Sequence, residues 1–297
     1  MVKRTLYFGN PAHLSTENLQ LVVKQAETAQ KITVPIEDLG MVVLDHAQIS
    51  ITQPLLAQLA ENKVSVLTCN ARHVPIALML PMEGNVLAQK YQQAQLSASE
   101  PLKKQLWAQT VKAKILHQAF VLKQQNLPQE NMLKWAEEIK SGDSTNLEAR
   151  AAAYYWKQIF ENPHFIRDRQ GNFPNSFLNY GYAVLRAMTA RSLVCAGLLP
   201  SVGIHHKNQY NAYCLADDVM EPYRPYVDAL VLDWIAKYPD AEELDKDAKA
   251  HLLQIATLDV SIQKNTSPLM HALDVSSTSL RKCFEGELKK MQYPEIK

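Results

Sequence analysis

Cysteine is scarce and dispersed in this sequence. Its four cysteines, Cys69, Cys195, Cys214 and Cys283, form no CxxC pair, so neither a zinc knuckle nor a disulfide framework is indicated and a reducing compartment is implied. Long apolar runs are missing as well: no stretch approaches the ~20 residues needed to cross a bilayer, and the opening "MVKRTLYFGN" lacks the apolar core of a signal peptide. Net charge is close to nil, +1 over 297 residues, which taken alone argues against a nucleic-acid partner. No internal repeat, low-complexity tract or flexible linker is present, so any domains should pack directly on one another. These absences imply a soluble cytoplasmic protein without a membrane role, and its 47% hydrophobic content is ample for a core.

The near-zero charge conceals an asymmetry. Residues 85–125 carry six lysines, Lys90, Lys103, Lys104, Lys112, Lys114 and Lys123, against Glu100 alone, a local +5. Residues 217–247 hold ten acidic residues against Arg224, Lys237 and Lys246, a local −7. Two readings are open: solvated helix faces that differ in sign, or a basic track for a phosphate backbone beside an acidic pocket that needs metal ions.

Up to residue 82 the chain reads as short strands. "RTLYFG", "LQLVVK", "KITVPI", "GMVVLD", "VSVLTC" and "VPIALML" are rich in β-branched residues and separated by turn formers. Only "TQPLLAQLAEN", residues 52–62, has helical spacing there, through Leu55, Leu56 and Leu59. After "PMEGN" the character changes, and residues 86–126 read as a helix pair. Further helices are expected over 130–140, 146–161, 175–198, 209–237, 245–257 and 268–292. The expected fold is α+β, with a small β-rich domain (1–82) and a large all-α domain (86–297), not a doubly wound sheet.

The densest chemistry lies in "GIHHKNQYNAYCLADDVMEPYRP", residues 203–225. On a helix starting near Gln209, Asp218 and Glu221 lie one turn apart, and Asp217 and Glu221 could share that face equally well. Carboxylates with no basic residue between them repel, so a cation, a proton or exposure must relieve them; a divalent metal is the most economical relief. Pro222 should break or kink the helix just behind Glu221. His205 and His206 precede it, and carboxylate oxygens with one imidazole and no thiolate suit magnesium or manganese better than structural zinc. The alternative is a histidine hydrogen-bonded in a purely structural role. Glu148, in "STNLEARAAAYYWKQIF", is the candidate third ligand, in the first turn of a helix capped by Ser144 or Thr145, unless it merely complements the helix dipole. Tyr154, Tyr155 and Trp156 follow on that helix, as core or as stacking platforms for bases.

The segments "NLEARAAAYYW", "FLNYGYAVLRA" and "GIHHKNQYNAYCLADDVMEPYRP" resemble, in order and distance, the CRISPR-associated spacer-acquisition integrases, the large subunit of the adaptation complex. The third segment is most similar to the branch that accompanies type II CRISPR systems. The resemblance implies Glu148, His206 and Glu221 as ligands of Mg2+ or Mn2+, with His206 selected over His205 by the "H-x-N-Q" register. It implies Asp218 as a supporting catalytic carboxylate, with Asp217 beside it leaving that choice open; because a ligating His206 cannot be the general base, Asp218 or a metal-bound water is the candidate for that role. Asn179, Tyr180 and Tyr182 of the second segment are read as packing against the site, with DNA contact the alternative.

The implied activity is that of an endonuclease and integrase joining 3′-OH ends of captured DNA into the CRISPR repeat array, in antiviral defence, with no nucleotide cofactor. The implied partners are double-stranded DNA fragments and repeat DNA, a homodimer formed through the β-rich domain, and a small adaptation subunit bridging two dimers. The type II effector nuclease and a ring-shaped DNA-end-binding protein complete the set. Lys103, Lys104, Lys112, Lys114, Arg150, Lys157, Arg167, Arg169, Arg186 and Arg191 are candidate DNA contacts. Two rival readings are a stand-alone metal-dependent nuclease on branched DNA or RNA and a non-catalytic architectural DNA-binding subunit.

Overall fold

The computed structural model describes residues 3–25, 31–160 and 165–295; the extreme ends of both expected domains, and residue 161 of the expected 146–161 helix, lie outside the described residues. The first part of the chain forms β1 (Arg4–Phe8), β2 (Ala12–Glu17), β3 (Gln20–Gln25), β4 (Lys31–Pro35), β5 (Leu39–Leu44), β6 (Ile49–Ile51), α1 (Gln53–Glu61), β7 (Ser65–Cys69) and β8 (Pro75–Met79). They make two four-stranded sheets, ordered β1-β5-β7-β8 and β4-β3-β2-β6. In the first, β1, β5 and β7 run parallel and β8 antiparallel. Strands β2 and β6 were not anticipated, because polar "AHLSTE" and a three-residue "ISI" carry little strand signal.

Strand β5, "LGMVVL", is buried on both faces. Met41 and Val43 join the core of the helical part, whereas Val42 packs with Leu14, Leu21, Leu55 and Leu59 in a separate core between the sheets and α1. The period-2 alternation of a strand thus makes one sheet the floor of both cores.

The remainder is mostly helical: α2 (Ala88–Leu96), α3 (Glu100–Gln124), α4 (Glu130–Glu138), α5 (Leu147–Ile159), α6 (Asn175–Cys195), α7 (Cys214–Met220), α8 (Arg224–Lys237), α9 (Lys246–Leu253) and α10 (Leu269–Phe284). Between α9 and α10 lies an unforeseen hairpin of β9 (Asp259–Ile262) and β10 (Asn265–Pro268), and α10 ends at Phe284 rather than near residue 292, with Gly286 at φ +79° behind it. Helices α3 and α6 are the central members, with buried residues all round, as a helix surrounded by others requires. Gly181 explains one close crossing: a Cβ there would stand 2.4 Å from Val227 Cγ1 of α8.

The two parts are joined by buried charge as well as apolar packing. Asp45, after β5, is 2% exposed and accepts hydrogen bonds from Lys249 Nζ of α9 (2.9 Å) and the Tyr7 hydroxyl (2.8 Å), and contacts His73 Nδ1 (2.9 Å). Burial alone would raise the Asp45 carboxyl, but these partners outweigh it and hold it below the ordinary range. Arg191 is part of the same junction: it is 5% exposed, donates to the Lys63 carbonyl and pairs with Asp274 at 3.4 Å. It is therefore a structural residue and not a DNA contact, correcting the expectation from its charge. Replacing one member of a buried pair strands the other charge, so Lys249→Met should lower unfolding free energy by about 3–5 kcal/mol, measured by urea denaturation at neutral pH.

Candidate active site

The site is assembled from α3, the start of α5, the middle of α6, and the segment from the 203–213 loop through α8. Its hub is Asp218, which is fully buried. Asp218 Oδ2 accepts from the backbone N–H groups of Ile204 (2.7 Å) and His205 (3.0 Å), and Oδ1 from the His206 N–H (3.2 Å) and His206 Nδ1 (2.6 Å). One carboxylate thus shapes the whole loop turn. Gly203 permits it, since a Cβ there would lie 2.4 Å from the His206 carbonyl oxygen and 2.7 Å from Asp218 Oδ2. With four donors on its two oxygens Asp218 has no free lone pair facing a substrate; it is a positioning residue, which corrects its expected role as general base. The same hydrogen bond holds His206 above the ordinary imidazole range and leaves Nε2 as its available nitrogen.

Helix α7 begins at Cys214, not near Gln209. Asn211 accounts for the delay: its side chain accepts from the Tyr213 N–H and donates to Asp217, holding a turn where a helix was expected. The break at Pro222 occurs as anticipated, through a 3-10 turn over Glu221–Tyr223. His205 stacks flat on Trp107 of α3, with ring centroids 4.1 Å apart and planes 2° from parallel, while His206 meets the same indole edge-on.

Of the expected means of relief for the carboxylates, the structure shows cations, and they are the protein's own lysine and arginines. Asp217 pairs with Arg186 (2.6 Å), Glu221 with Arg224 (3.0 Å) and Lys114 (2.6 Å), and Lys114 also with Glu148 Oε1 (2.7 Å). Burial would raise Glu221, but the Arg224 guanidinium and Lys114 ammonium prevail and bring it down to about 2. Burial would likewise lower Lys114, and Glu221 and Glu148 hold it above the usual lysine range instead. Lys114 is thus no free lysine along a DNA path.

Glu148 stands in the first turn of α5, as expected, but neither Ser144 nor Thr145 caps that helix. Asn146 occupies the cap with φ +53°, and the Asp143 carboxylate accepts from the Leu147 (2.9 Å) and Glu148 (3.0 Å) N–H groups instead. Tyr155 is fully buried and, with Tyr182, donates to Asp228. The ring of Tyr182 also carries two guanidiniums, Arg167 at 5.1 Å and Arg224 at 4.8 Å. Asn179 accepts from Arg167 and donates to the carbonyls of Asp168 and Arg169, fixing the arginine loop. Tyr180, two residues along the helix from Tyr182, packs away from the site beneath Lys249.

A cavity of about 470 Å³ opens over these groups, lined by Lys114, Arg167, Arg169, Arg186 and Arg224 with His206, Asp217, Glu221 and Asp228. Lys104, Lys112, Arg150 and Lys157 are exposed outside it, Arg150 over Trp135 at 4.6 Å, and Lys103 is half-buried near Glu100. As the side chains stand, no three His, Cys, Asp or Glu among the described residues are grouped to hold a metal ion; the ammonium of Lys114 closes the Glu148–Glu221 pair. The donor set nonetheless suits a hard divalent cation, with two carboxylates and an imidazole, and buried Glu221 Oε2 has no hydrogen bond of proper geometry despite its ion contact. Trp107, Gln118, Asp143 and Asp228 escaped sequence reasoning, and Lys114 was read as a DNA contact, because nothing in sequence spacing links them to Glu148 or Glu221.

A small β-rich part on a helical body, here carrying an acidic cleft rimmed by arginines, is a fold found in other proteins. A family model for CRISPR associated protein Cas1 matches residues 6–264. The CRISPR-associated endonuclease Cas1 of Neisseria meningitidis serogroup C (strain 8013) is 36% identical over 299 residues, spanning all of this chain and 97% of that protein. The chain belongs to the Cas1 family. Its fold is also that of a casposase bound to integration product (19% identity, TM-score 0.78, 98% of this chain and 92% of that one) and of a CAS1 protein from Thermotoga maritima (15%, TM-score 0.78, 99% and 100%).

Asp228 supplies a pH test. Burial raises its carboxyl from 3.8 to about 6, against the opposing pull of Tyr182 and Tyr155. Between those values the folded protein keeps a proton that the unfolded chain releases, so this group's contribution to stability falls as pH rises through the window. Asp228→Asn should remove that slope, gaining up to roughly 3 kcal/mol relative to wild type across it, as read by urea denaturation at pH 4.5 and 7.

Proposed function

We propose that the protein is the divalent-metal-dependent integrase of CRISPR adaptation, joining the 3′-OH ends of captured double-stranded DNA to repeat DNA by phosphodiester transesterification. The observation that carries this reading is that His206 and Glu221 line one cavity with Arg167, Arg169, Arg186 and Arg224, while Glu148, from a separate segment, meets Glu221 through the shared Lys114 ammonium. Glu148, Glu221 and His206 Nε2 would hold Mg2+ or Mn2+. When bound, the metal would polarise a non-bridging phosphate oxygen and favour in-line displacement.

The chain's own residues do the rest. Arg167 and Arg224, both held against the ring of Tyr182 and tied by Asn179 and Glu221 respectively, present guanidiniums that suit the bidentate geometry of phosphate oxygens. Asp218 sets the tautomer and orientation of His206, as a carboxylate behind a ligating imidazole does. Trp107 fixes His205, and through it the loop that carries His206. Bond number is conserved in transesterification, so no nucleotide cofactor enters, and water as nucleophile in place of the 3′ hydroxyl would give the endonuclease activity named for the Neisseria relative.

The β-rich part, residues 1–82, would form the homodimer. Exposed Ile32, Val74 and Ile76 on and beside the edge strands β4 and β8 are suited to a partner surface. Two such dimers bridged by the small adaptation subunit, acting in the cytoplasm with the type II effector nuclease and the ring-shaped end-binding protein, complete the assembly proposed for this chain. No helix among the described residues is long and apolar enough to cross a membrane.

The test is strand transfer of a labelled duplex with free 3′ hydroxyls into a supercoiled repeat plasmid, with Mn2+ or Mg2+ and the small subunit. Glu148→Ala, Glu221→Ala and His206→Ala should each lower joining by more than about a hundredfold, while His205→Phe, which keeps the stack on Trp107, should lower it far less than His205→Ala. Cutting without joining would instead assign a stand-alone nuclease. DNA binding with no chemistry under any metal condition, insensitive to the three substitutions, would assign an architectural subunit.

A further inference from the structure

Lys114 stands where the two carboxylates of the site face each other, and it has somewhere else to go. Its Nζ lies 2.7 Å from Glu148 Oε1 and 2.6 Å from Glu221 Oε2, with its side chain 12% exposed at the cavity wall. One turn further along α3, Gln118 lines the same cavity and is 3% exposed, and its Oε1 is a buried acceptor with no hydrogen-bond partner. An unsatisfied buried carbonyl is costly, and residues four apart on a helix face lie within side-chain reach of each other.

We propose that Lys114 is a built-in counter-cation that competes with the divalent metal for the Glu148–Glu221 pair, and that metal entry moves its ammonium to Gln118 Oε1. In the metal-free protein the lysine keeps two mutually repelling carboxylates together. A dication between them attracts both more strongly than a monocation does, while at the same short range it repels the ammonium. The lysine then leaves the pair for the free acceptor, remaining inside the cavity as a positive charge beside a bound phosphate. Selection for a dication follows, because a monovalent ion offers no more charge than the lysine it would have to displace. This inference rests on the metal-dependent reading of the site, and its test separates the two.

Mn2+ binding is followed by electron paramagnetic resonance on the full chain, together with thermal unfolding in EDTA and in MnCl2. Lys114→Met should bind Mn2+ roughly tenfold more tightly than wild type, within the usual range of coupling between competing sites. It should also unfold at a lower temperature in EDTA and recover more of that loss on adding Mn2+. Gln118→Leu should weaken Mn2+ binding severalfold, but only while Lys114 is present: in the double variant the Gln118 effect should vanish, an interaction that general loosening of the helix would not produce.

Should Lys114→Met fail to fold, the wild-type chain answers alone. Labelling with a lysine-acylating reagent, read by mass spectrometry, should rise severalfold at Lys114 when Mn2+ is added and stay constant at Lys104 and Lys112. Unchanged or reduced Lys114 labelling in a protein that does bind Mn2+ overturns the counter-cation while leaving the metal site standing, as does a Lys114→Met variant that binds Mn2+ no better than wild type. Absence of any Mn2+ binding to the wild-type chain overturns both readings together.

Discussion

The site depends first on a carboxylate that lies outside the lining of its own cavity. Asp218, fully buried, gathers three successive backbone N–H groups and the His206 imidazole onto its two oxygens, and a buried carboxylate is tolerable only with that degree of satisfaction. Loop, histidine and helix α7 are therefore fixed relative to one another by a single group. Trp107 closes the arrangement by stacking on His205, so the first histidine of the pair anchors the loop that carries the second.

Around that hub Asp217, Glu221 and Glu148 each have a cation from a different segment of the chain. Arg186 serves Asp217, Arg224 and Lys114 serve Glu221, and Lys114 serves Glu148. Asp228 is the exception, held by two tyrosine hydroxyls and so left with a carboxyl raised to about 6. The balance allows many acids to share a small buried volume, and it accounts for a chain whose net charge of +1 coexists with strongly charged local surfaces.

What was legible in the sequence was local. The change from β to α near residue 84, the break at Pro222, the helix start before Glu148 and the long apolar helices all follow from short-range chemistry that periodicity and turn formers report. Asp143 capping α5, Asn211 delaying α7 and the small strands β2 and β6 were missed because side-chain competition with the backbone, or pairing with distant strands, outweighed propensity there. Lys114 and Arg191 were misassigned for one reason: a basic residue looks solvated in sequence, and only the fold reveals that Glu148, Glu221 and Asp274 stand beside them.

Helix α3 has a consequence for how this chain can vary in length. Trp107, Lys114 and Gln118 are spaced by seven and four residues on one uninterrupted 25-residue helix, so they form one stripe that supports the histidine loop at one end and the carboxylate pair at the other. A single inserted or deleted residue between positions 107 and 118 would turn one end of the stripe by about 100° relative to the other and part the loop from the charges it serves. Relatives that keep this stripe should differ in length before Trp107 or beyond Gln118, in the turns joining α3 to α2 and α4, and hold the interval between them constant.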